Sequence, residues 1–297
     1  MTEIVFLALL VVDGALAGTV YALIALAFVV VYKASRMVNF ALGEWVMVAS
    51  RLVAAGIHAA GLPPVGAVAL GCGGMVALAV AVSRVVLRPL AGQPLVALIM
   101  VSIGLGILMR GTAPLVFRGV PGTIPLGLED VAVDVLGLPI AADRLAAAAV
   151  AVVSIGALGW FFQRSRTGLA LRAIASDQHA AATVGIGLRR HVTIAWALAG
   201  ALAVLAGTLW TAVSGGGFGV DVLGLKVFPI VIMGGLDSIG GAILAAILVG
   251  VLENLVAGYL DPLVGGGLSR VAAYVVLLVA LCVRPHGLFG RPEVRRV

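Results

Sequence analysis

Residues 4–31 read IVFLALLVVDGALAGTVYALIALAFVVV, and a single charged residue, Asp13, interrupts this apolar run. A stretch of about 20 apolar residues is long enough to cross the hydrocarbon core of a bilayer as a helix. Within lipid the backbone must satisfy its own hydrogen bonds, which a helix does. We therefore expect residues 4–31 to form a transmembrane helix. No basic start of the kind found in a signal peptide precedes it, so we expect the helix to be retained.

The remainder of the chain repeats this pattern. Of its 297 residues 62% are hydrophobic and 11% are charged, whereas a soluble domain carries about a quarter charged residues. Further strong apolar runs occupy residues 65–82, 95–109, 145–162, 192–213, 239–260 and 271–283, and weaker ones occupy 38–55 and 222–234. The sequence predicts an all-α polytopic membrane protein, a single transmembrane domain over residues 1–297 with about nine helices (eight to ten).

The charged residues alternate in sign from loop to loop. The loop at residues 163–191 carries five arginines and one acidic residue, and the tail after Val283 carries four arginines and one glutamate. The segment at residues 118–143 instead carries four acidic residues and one arginine. Because basic loops mark the cytoplasmic side, we expect an external N-terminus, a cytoplasmic C-terminus and a place in the cytoplasmic membrane. The formal charge of +6 is therefore explained by topology, and no nucleic-acid partner is expected.

Small residues recur every fourth position in several predicted spans. A spacing of four places them near one helix face, where they let helix backbones approach closely in lipid. The stripes are Gly14, Gly18 and Ala22; Ala195, Ala199, Ala203, Gly207 and Thr211; and Ala242, Ala246, Gly250, Asn254 and Gly258. Glycine-rich stretches at 214–219, 234–241 and 265–267 indicate helix discontinuities, which line substrate routes in many transporters, or plain turns between spans.

Motifs for enzyme chemistry are missing from the sequence. Lys33 and Lys226 are the only lysines and neither follows a glycine, so no Walker-type nucleotide loop exists. There is no His-Glu-x-x-His zinc helix and no Gly-x-Ser-x-Gly nucleophile elbow. We therefore expect neither an enzyme nor a bound cofactor or metal.

Polar residues within the predicted spans are few, and insertion of a charge at mid-bilayer costs about 2.5–3.5 kcal/mol. Residues retained at that cost are candidates for a substrate path, although a hydrogen bond between helices explains each of them equally simply. The candidates are Asn39, Glu44, Lys226, Glu253 and Asn254. Two arginines near span ends, Arg51 and Arg110, are expected instead to extend their charged heads toward the membrane surface.

The basic loop at residues 163–191 has a mixed apolar and polar core at 168–185. Its pattern predicts one or two short helices, ended by Gly185 and Gly187. A structured loop of this kind fits either contact with a partner protein or a resting position on the lipid surface.

Several motifs occur in the order found in one known family. They are GTVYALIALA at 18–27, NFALGE at 39–44, LRAIASD at 171–177 with VGI at 184–186, GLKVF at 224–228, MGGLDSIGGA at 233–242 and RPHGLFGRPE at 284–293. Together they resemble the permease subunits of branched-chain amino-acid ABC importers, in particular the first of the two permeases.

This resemblance implies an importer with several partners. A second permease subunit would form a heterodimer with this chain, two ABC ATPase subunits would dock beneath the pair, and an external binding protein would deliver the amino-acid substrate. The coupling element to the ATPase would contain Leu169, Arg172, Ala173, Asp177, Val184 and Gly185. Related permeases carry urea or short amides, so these substrates stay open. An ion-coupled secondary transporter and a membrane scaffold without transport activity also stay open as functions for the chain.

Overall fold

The computed structural model describes residues 3–90, 92–125, 127–128, 131–135, 137–284 and 287–289. Expectations about Glu129, Asp130 and the basic residues after Arg284 therefore lie outside the described residues. Twelve α-helices account for most of the described chain. They are α1 (Glu3–Ser35), α2 (Leu42–His58), α3 (Pro64–Val82), α4 (Leu95–Val116), α5 (Ala142–Arg164), α6 (Arg166–Ser176), α7 (Gln178–Thr183), α8 (Leu188–Ser214), α9 (Val222–Gly234), α10 (Ile239–Leu255), α11 (Asp261–Val264) and α12 (Leu268–Val283).

Six of the helical segments are long and apolar enough to cross a membrane. They are α1, Pro64–Leu87, Val96–Val116, α5, α8 and Ile239–Val264. Two of these continue through short π-helical turns, Ser83–Leu87 after α3 and Val256–Leu260 after α10. The class of an all-α polytopic membrane protein is confirmed.

Three shorter helices, α2, α9 and α12, occupy the other predicted spans. The span expected at 222–234 coincides with α9, whereas the span expected at 38–55 is shifted, because α2 begins at Leu42. Before α2 the chain from 36 to 41 is mostly non-helical yet largely buried, and before α9 the 3₁₀ turn Phe218–Asp221 precedes the helix. Both helices therefore begin after irregular backbone, which is largely buried before α2 but mostly exposed at 214–219 before α9.

Helix α1 forms the centre of the bundle, because α5, α8, α9 and α10 all pack on it. Every residue from Val20 to Val31 is buried. A helix that is apolar on all sides is typical of such an enclosed position, and α1 has no polar face. The unbroken run at 4–31 that predicted a membrane span thus also marks the core of the molecule.

The predicted small-residue stripes lie at helix contacts. A methyl group on Gly14 would lie 2.6 Å from Val251 Cα, and one on Gly18 would lie 2.7 Å from Ile247 Cα, so α1 and α10 meet backbone to backbone. Gly207 of α8 faces α2 in the same way, since a methyl group on it would lie 2.7 Å from Val46 O. Close approach through glycine is how helices gain packing energy in lipid.

The charged loops separate to opposite ends of the bundle. At one end, Arg36 at the exit of α1 pairs with Asp237 before α10 and donates to Ala175 O in the 163–191 loop. At the other end, Asp13 pairs with Arg144, which follows an antiparallel pair of strands, β1 (Ala132–Val135) and β2 (Leu138–Ala141). The sequence did not predict this hairpin, since the strands are only four residues long and largely exposed.

Candidate functional site

Three polar side chains from three helices meet at membrane depth. Lys226 of α9 forms an ion pair with Glu253 of α10 and donates a hydrogen bond to Tyr21 Oη at 2.9 Å. Tyr21 of α1 in turn donates to Glu253 Oε2 at 3.0 Å. The cluster is electrically neutral, and each charged group has partners, as a largely buried ion pair requires. Trp210 of α8 stacks on the Tyr21 ring, with 5.5 Å between ring centroids.

A cavity of about 240 Å³ adjoins this cluster. It is lined by residues of α1, α5, α8, α9, α10 and their flanking segments, and the Asp13–Arg144 ion pair lies in its wall. Asn254 also lines it, with its amide donating to Leu10 O at 3.4 Å. The cavity is slightly smaller than the roughly 300–1,000 Å³ of typical ligand pockets, which suits a small molecule.

A second polar cluster lies where α2 and α9 begin. Arg110 of α4 bridges two carboxylates, with Nη2 at 2.7 Å from Glu44 Oε1 and Nε at 2.8 Å from Asp221 Oδ2. Glu44 occupies the first turn of α2, and Asp221 is the residue preceding α9. Carboxylates at these positions are stabilised by the positive ends of the two helix dipoles.

The two short helices touch at their first turns. Gly43 of α2 and Gly224 of α9 are so close that a methyl group on either would overlap the backbone of the other segment. Gly106 of α4 packs against the Glu44 carboxylate, since a methyl group on that glycine would lie 3.1 Å from Oε2. Glycine at these positions lets three backbones converge around Arg110.

The five predicted path residues therefore occupy three different places. Lys226, Glu253 and Asn254 line the cavity, whereas Glu44 belongs to the arginine cluster. Asn39 is buried, and its side-chain oxygen accepts from the Ala41 N–H at 3.0 Å, where it supports the start of α2.

Two arginines behave differently from the sequence expectation that they extend to the membrane surface. That expectation was wrong for Arg51, which is 3% exposed and donates to Val120 O at 2.6 Å inside the protein. It was also wrong for Arg110, whose guanidinium pairs with two nearly buried carboxylates, Glu44 and Asp221. The sequence contained a signal for Arg110, because it is the only charge in α4 and two acidic residues, Glu44 and Asp221, stood unpaired at the starts of other spans. Tyr21 and Trp210 of the first cluster were not predicted.

The loop at 163–191 folds into the two short helices expected, α6 and α7, on the end of the bundle where α1 exits. Ser165 begins α6 by accepting from the Gly168 N–H at 2.8 Å, and Gly168 lies so close to α5 that a methyl group there would overlap the Phe161 carbonyl. Leu171 and Ile174 are the buried apolar side chains of α6. The loop is thus held firmly against the bundle.

The expected coupling residues lie on the outer surface of this loop, and two of them, Asp177 and Gly185, also fix the ends of α7. Leu169 and Val184 are 60% and 76% exposed, Arg172 is exposed and Ala173 is half-buried. Asp177 begins α7, since one carboxylate oxygen accepts from the N–H groups of both His179 and Ala180. The Ala180 bond and then the His179 bond hold the pKa of Asp177 below its usual value.

Gly185 ends α7 with a positive φ of 83°. The Ile186 N–H bonds to Ala181 O and the Gly185 N–H bonds to Ala182 O, which is the Schellman pattern. The sequence expectation that Gly185 stops a helix is therefore confirmed, and Val184 is presented beside this turn.

The sequence matches a family model and several curated permeases. The profile of a family described as "Branched-chain amino acid transport system / permease component" matches residues 10–282. The chain is 30% identical to the branched-chain amino acid permease BraD of Pseudomonas aeruginosa and 28% identical to LivH of Escherichia coli, each over 96% of both chains. It is 30% identical to the guanosine permease NupP of Bacillus subtilis over 48% of this chain and 41% of that one. Among solved structures, PsaBC from Streptococcus pneumoniae matches with a TM-score of 0.47 and 15% identity over 93% of this chain and 92% of that one.

Proposed function

This chain belongs to the family of permease components of branched-chain amino acid transport systems, and we propose from that premise that it carries branched-chain amino acids across the cytoplasmic membrane as one of two permeases of an ATP-driven importer. The family match over residues 10–282 is the observation that carries this proposal. The relatives BraD and LivH are named for the same substrates. A second permease, two ATPase subunits and an external binding protein complete the proposed assembly.

The route of the substrate is proposed to follow α9. This helix contributes Lys226 to the cavity cluster, and the preceding Asp221 belongs to the arginine cluster, so both membrane-depth polar groups border it. An amino acid carries one positive and one negative group, and each cluster offers both charges in paired form. Paired charges can exchange partners with a zwitterion without leaving an ion unpaired in a medium of low dielectric.

The surface of α6 and α7 is proposed to receive the ATPase. Leu169 and Val184 expose apolar side chains beside the cation Arg172, and Asp177 and Gly185 fix the two ends of α7. Gly168 packs against α5, and Arg36 at the C-terminal end of α1 donates to a carbonyl of α6. A displacement of α6 by a docked ATPase would therefore move α5 and α1 as well.

Uptake of labelled leucine by proteoliposomes tests the transport proposal. The vesicles would hold this chain with its partner permease, ATPases and binding protein, with or without internal ATP. Uptake that requires both ATP and the binding protein supports the proposal, and competition with unlabelled valine, urea, short amides and guanosine defines the substrate. Uptake driven by an ion gradient without the ATPases refutes it.

Co-purification tests the docking surface. We expect the double variant Leu169→Ser/Arg172→Ala to lose the ATPase subunits, whereas Arg190→Ala, which removes an exposed cation at the start of α8, should retain them. Asp177 replacement should also weaken docking, because α7 loses its cap. Normal co-purification and normal ATP-driven uptake by the double variant would exclude this surface as the ATPase contact.

A further inference from the structure

The arginine cluster is only half covered by this chain. The Arg110 side chain is 54% exposed, while its partners Glu44 and Asp221 are 9% and 8% exposed. Arg110 lies 15 residues after the start of α4 at Leu95 and six before its end at Val116, which is about 22 Å and about 9 Å of helix rise. The exposed guanidinium therefore projects from within the span of α4 and not from its end.

Lipid cannot be the neighbour of this surface. A cation placed against acyl chains at mid-bilayer is costly, and such residues face protein or a water-filled cavity instead. The residues that surround the cluster are apolar and strongly exposed, with Ile107 one turn before Arg110 at 67%, and Val222 and Leu225 of α9 at 59% and 56%. A polar centre with an apolar border is the pattern of a protein surface that another subunit covers.

A buried arginine extends the same face of α2. Arg51 follows Glu44 by seven residues, which places both on one side of the helix. Its guanidinium lies 4.6 Å from the centre of the Phe218 ring, in the 3₁₀ turn that leads to Asp221. Its Nε has no hydrogen-bond partner, and among the described residues no carboxylate pairs with it.

The formal charges of the four buried or paired ionic side chains described above sum to zero. Two arginines, Arg51 and Arg110, stand with two carboxylates, Glu44 and Asp221. A neutral zwitterion that enters leaves this balance unchanged, whereas a net anion or cation disturbs it in a medium of low dielectric.

We propose that the Arg110–Glu44–Asp221 cluster lies at the seam between this chain and the second permease, and that it contacts the ammonium and carboxylate groups of the substrate during its passage. The substrate's ammonium group takes the place of Arg110 on a carboxylate, while Arg110 holds the substrate's carboxylate. The surrounding α4 and α9 side chains receive the apolar side chain. The proposal rests on the proposed function for the nature of the substrate and for the identity of the covering subunit, whereas the exposure of Arg110 is observed directly.

Thiol labelling of the assembled importer tests the position. In a Cys72→Ala/Cys282→Ala background, Ile107→Cys and Val222→Cys should react with a membrane-impermeant methanethiosulfonate in at least one nucleotide state. Val153→Cys on the outer surface of α5, which is 71% exposed, is the matched control and should stay unreactive in lipid. Failure of both seam cysteines to react in every nucleotide state overturns the seam.

Neutralisation tests the contact with substrate. The triple variant Glu44→Gln/Arg110→Gln/Asp221→Asn removes the charges and keeps a polar side chain at each position, with isosteric amides in place of the two carboxylates and a shorter side chain in place of Arg110. We expect binding-protein-stimulated ATP hydrolysis to persist while leucine uptake falls about tenfold or more, the effect of losing a hydrogen bond to a charged group. Uptake within about twofold of the unmodified importer refutes the contact.

The two proposals fail in different ways. If the unmodified importer takes up no leucine, the proposed substrate is wrong, and thiol labelling still decides the seam because it needs no substrate. If the triple variant does not assemble, labelling of the single cysteine variants decides between a seam and a lipid-facing surface.

Discussion

Replacement of Gly18 by alanine should disturb the protein far beyond the added methyl group. The new Cβ would lie 2.7 Å from Ile247 Cα and 2.9 Å from Ala246 O of α10. Carbon atoms in contact prefer about 3.5–4.0 Å, so α1 and α10 must separate by about 0.8 Å. Tyr21, in the next turn of α1, is joined to Glu253 of α10 by a 3.0 Å hydrogen bond, which this separation stretches to about 3.8 Å and breaks.

The expected loss of stability follows from these two effects. Overpacking costs about 1–3 kcal/mol and the hydrogen bond to a charged group about 1.5–3 kcal/mol, so we expect a total of about 2.5–6 kcal/mol. At about 2–4 °C per kcal/mol, the midpoint of thermal unfolding in detergent, followed by tryptophan fluorescence, should fall by at least about 5 °C.

The matched control for this prediction is Gly104→Ala. Gly104 lies on an exposed part of α4, and a methyl group there meets nothing within 4 Å. The control should melt at or slightly above the temperature of the unmodified chain, since alanine favours helix. If Gly18→Ala and Gly104→Ala unfold at the same temperature, the backbone contact between α1 and α10 is not as described.

Three further outcomes are expected. Glu253→Leu should impair uptake much more than expression, because it leaves the Lys226 ammonium without a counter-charge in the cavity. Adding Lys226→Met should restore thermal stability but not uptake. Unchanged uptake in Glu253→Leu would show that the ion pair is purely structural. Gly168→Ala should lower ATPase co-purification by displacing α6 from α5, while Gly156→Ala, at an open position on α5, should not. Because the pKa of Asp177 is lowered in the folded protein, its cap stabilises α7 fully above the carboxyl's unfolded pKa of about 3.9, and this stabilisation is lost as pH falls through the lower native pKa. Hydrogen exchange in α7, corrected for intrinsic rates, should therefore accelerate in acid. The variant Asp177→Ala should remove this pH dependence.

Much of the architecture was predictable because lipid imposes a strong rule on sequence. The apolar run that became α1, the span that became α9 and the two short helices of the 163–191 loop were all predicted at or near their observed positions. The glycine and alanine stripes likewise indicated helix contacts, since only small residues allow such close backbones.

The grouping of the polar residues was not predictable from sequence. Tyr21 and Glu253 are 232 positions apart, and Glu44 and Arg110 are 66 apart, so only the packing of helices reveals these pairs. Arg51 was assigned to the surface because it lies near the end of an apolar run. The distance of a residue from the end of a span does not tell in which direction its side chain points. The Val120 carbonyl that accepts the hydrogen bond from Arg51 belongs to a loop with no periodic pattern.

The enclosure of α1 has a consequence for the biogenesis of the protein. The helix is synthesised before α8, α9 and α10, which pack on it and follow more than 150 residues later. Until then Tyr21 must reside in lipid or in an insertion machinery without Lys226 or Glu253 to bond it. The C-terminal half therefore completes the burial of α1. A chain whose synthesis stopped before α8 would lack three of the helices that pack on α1.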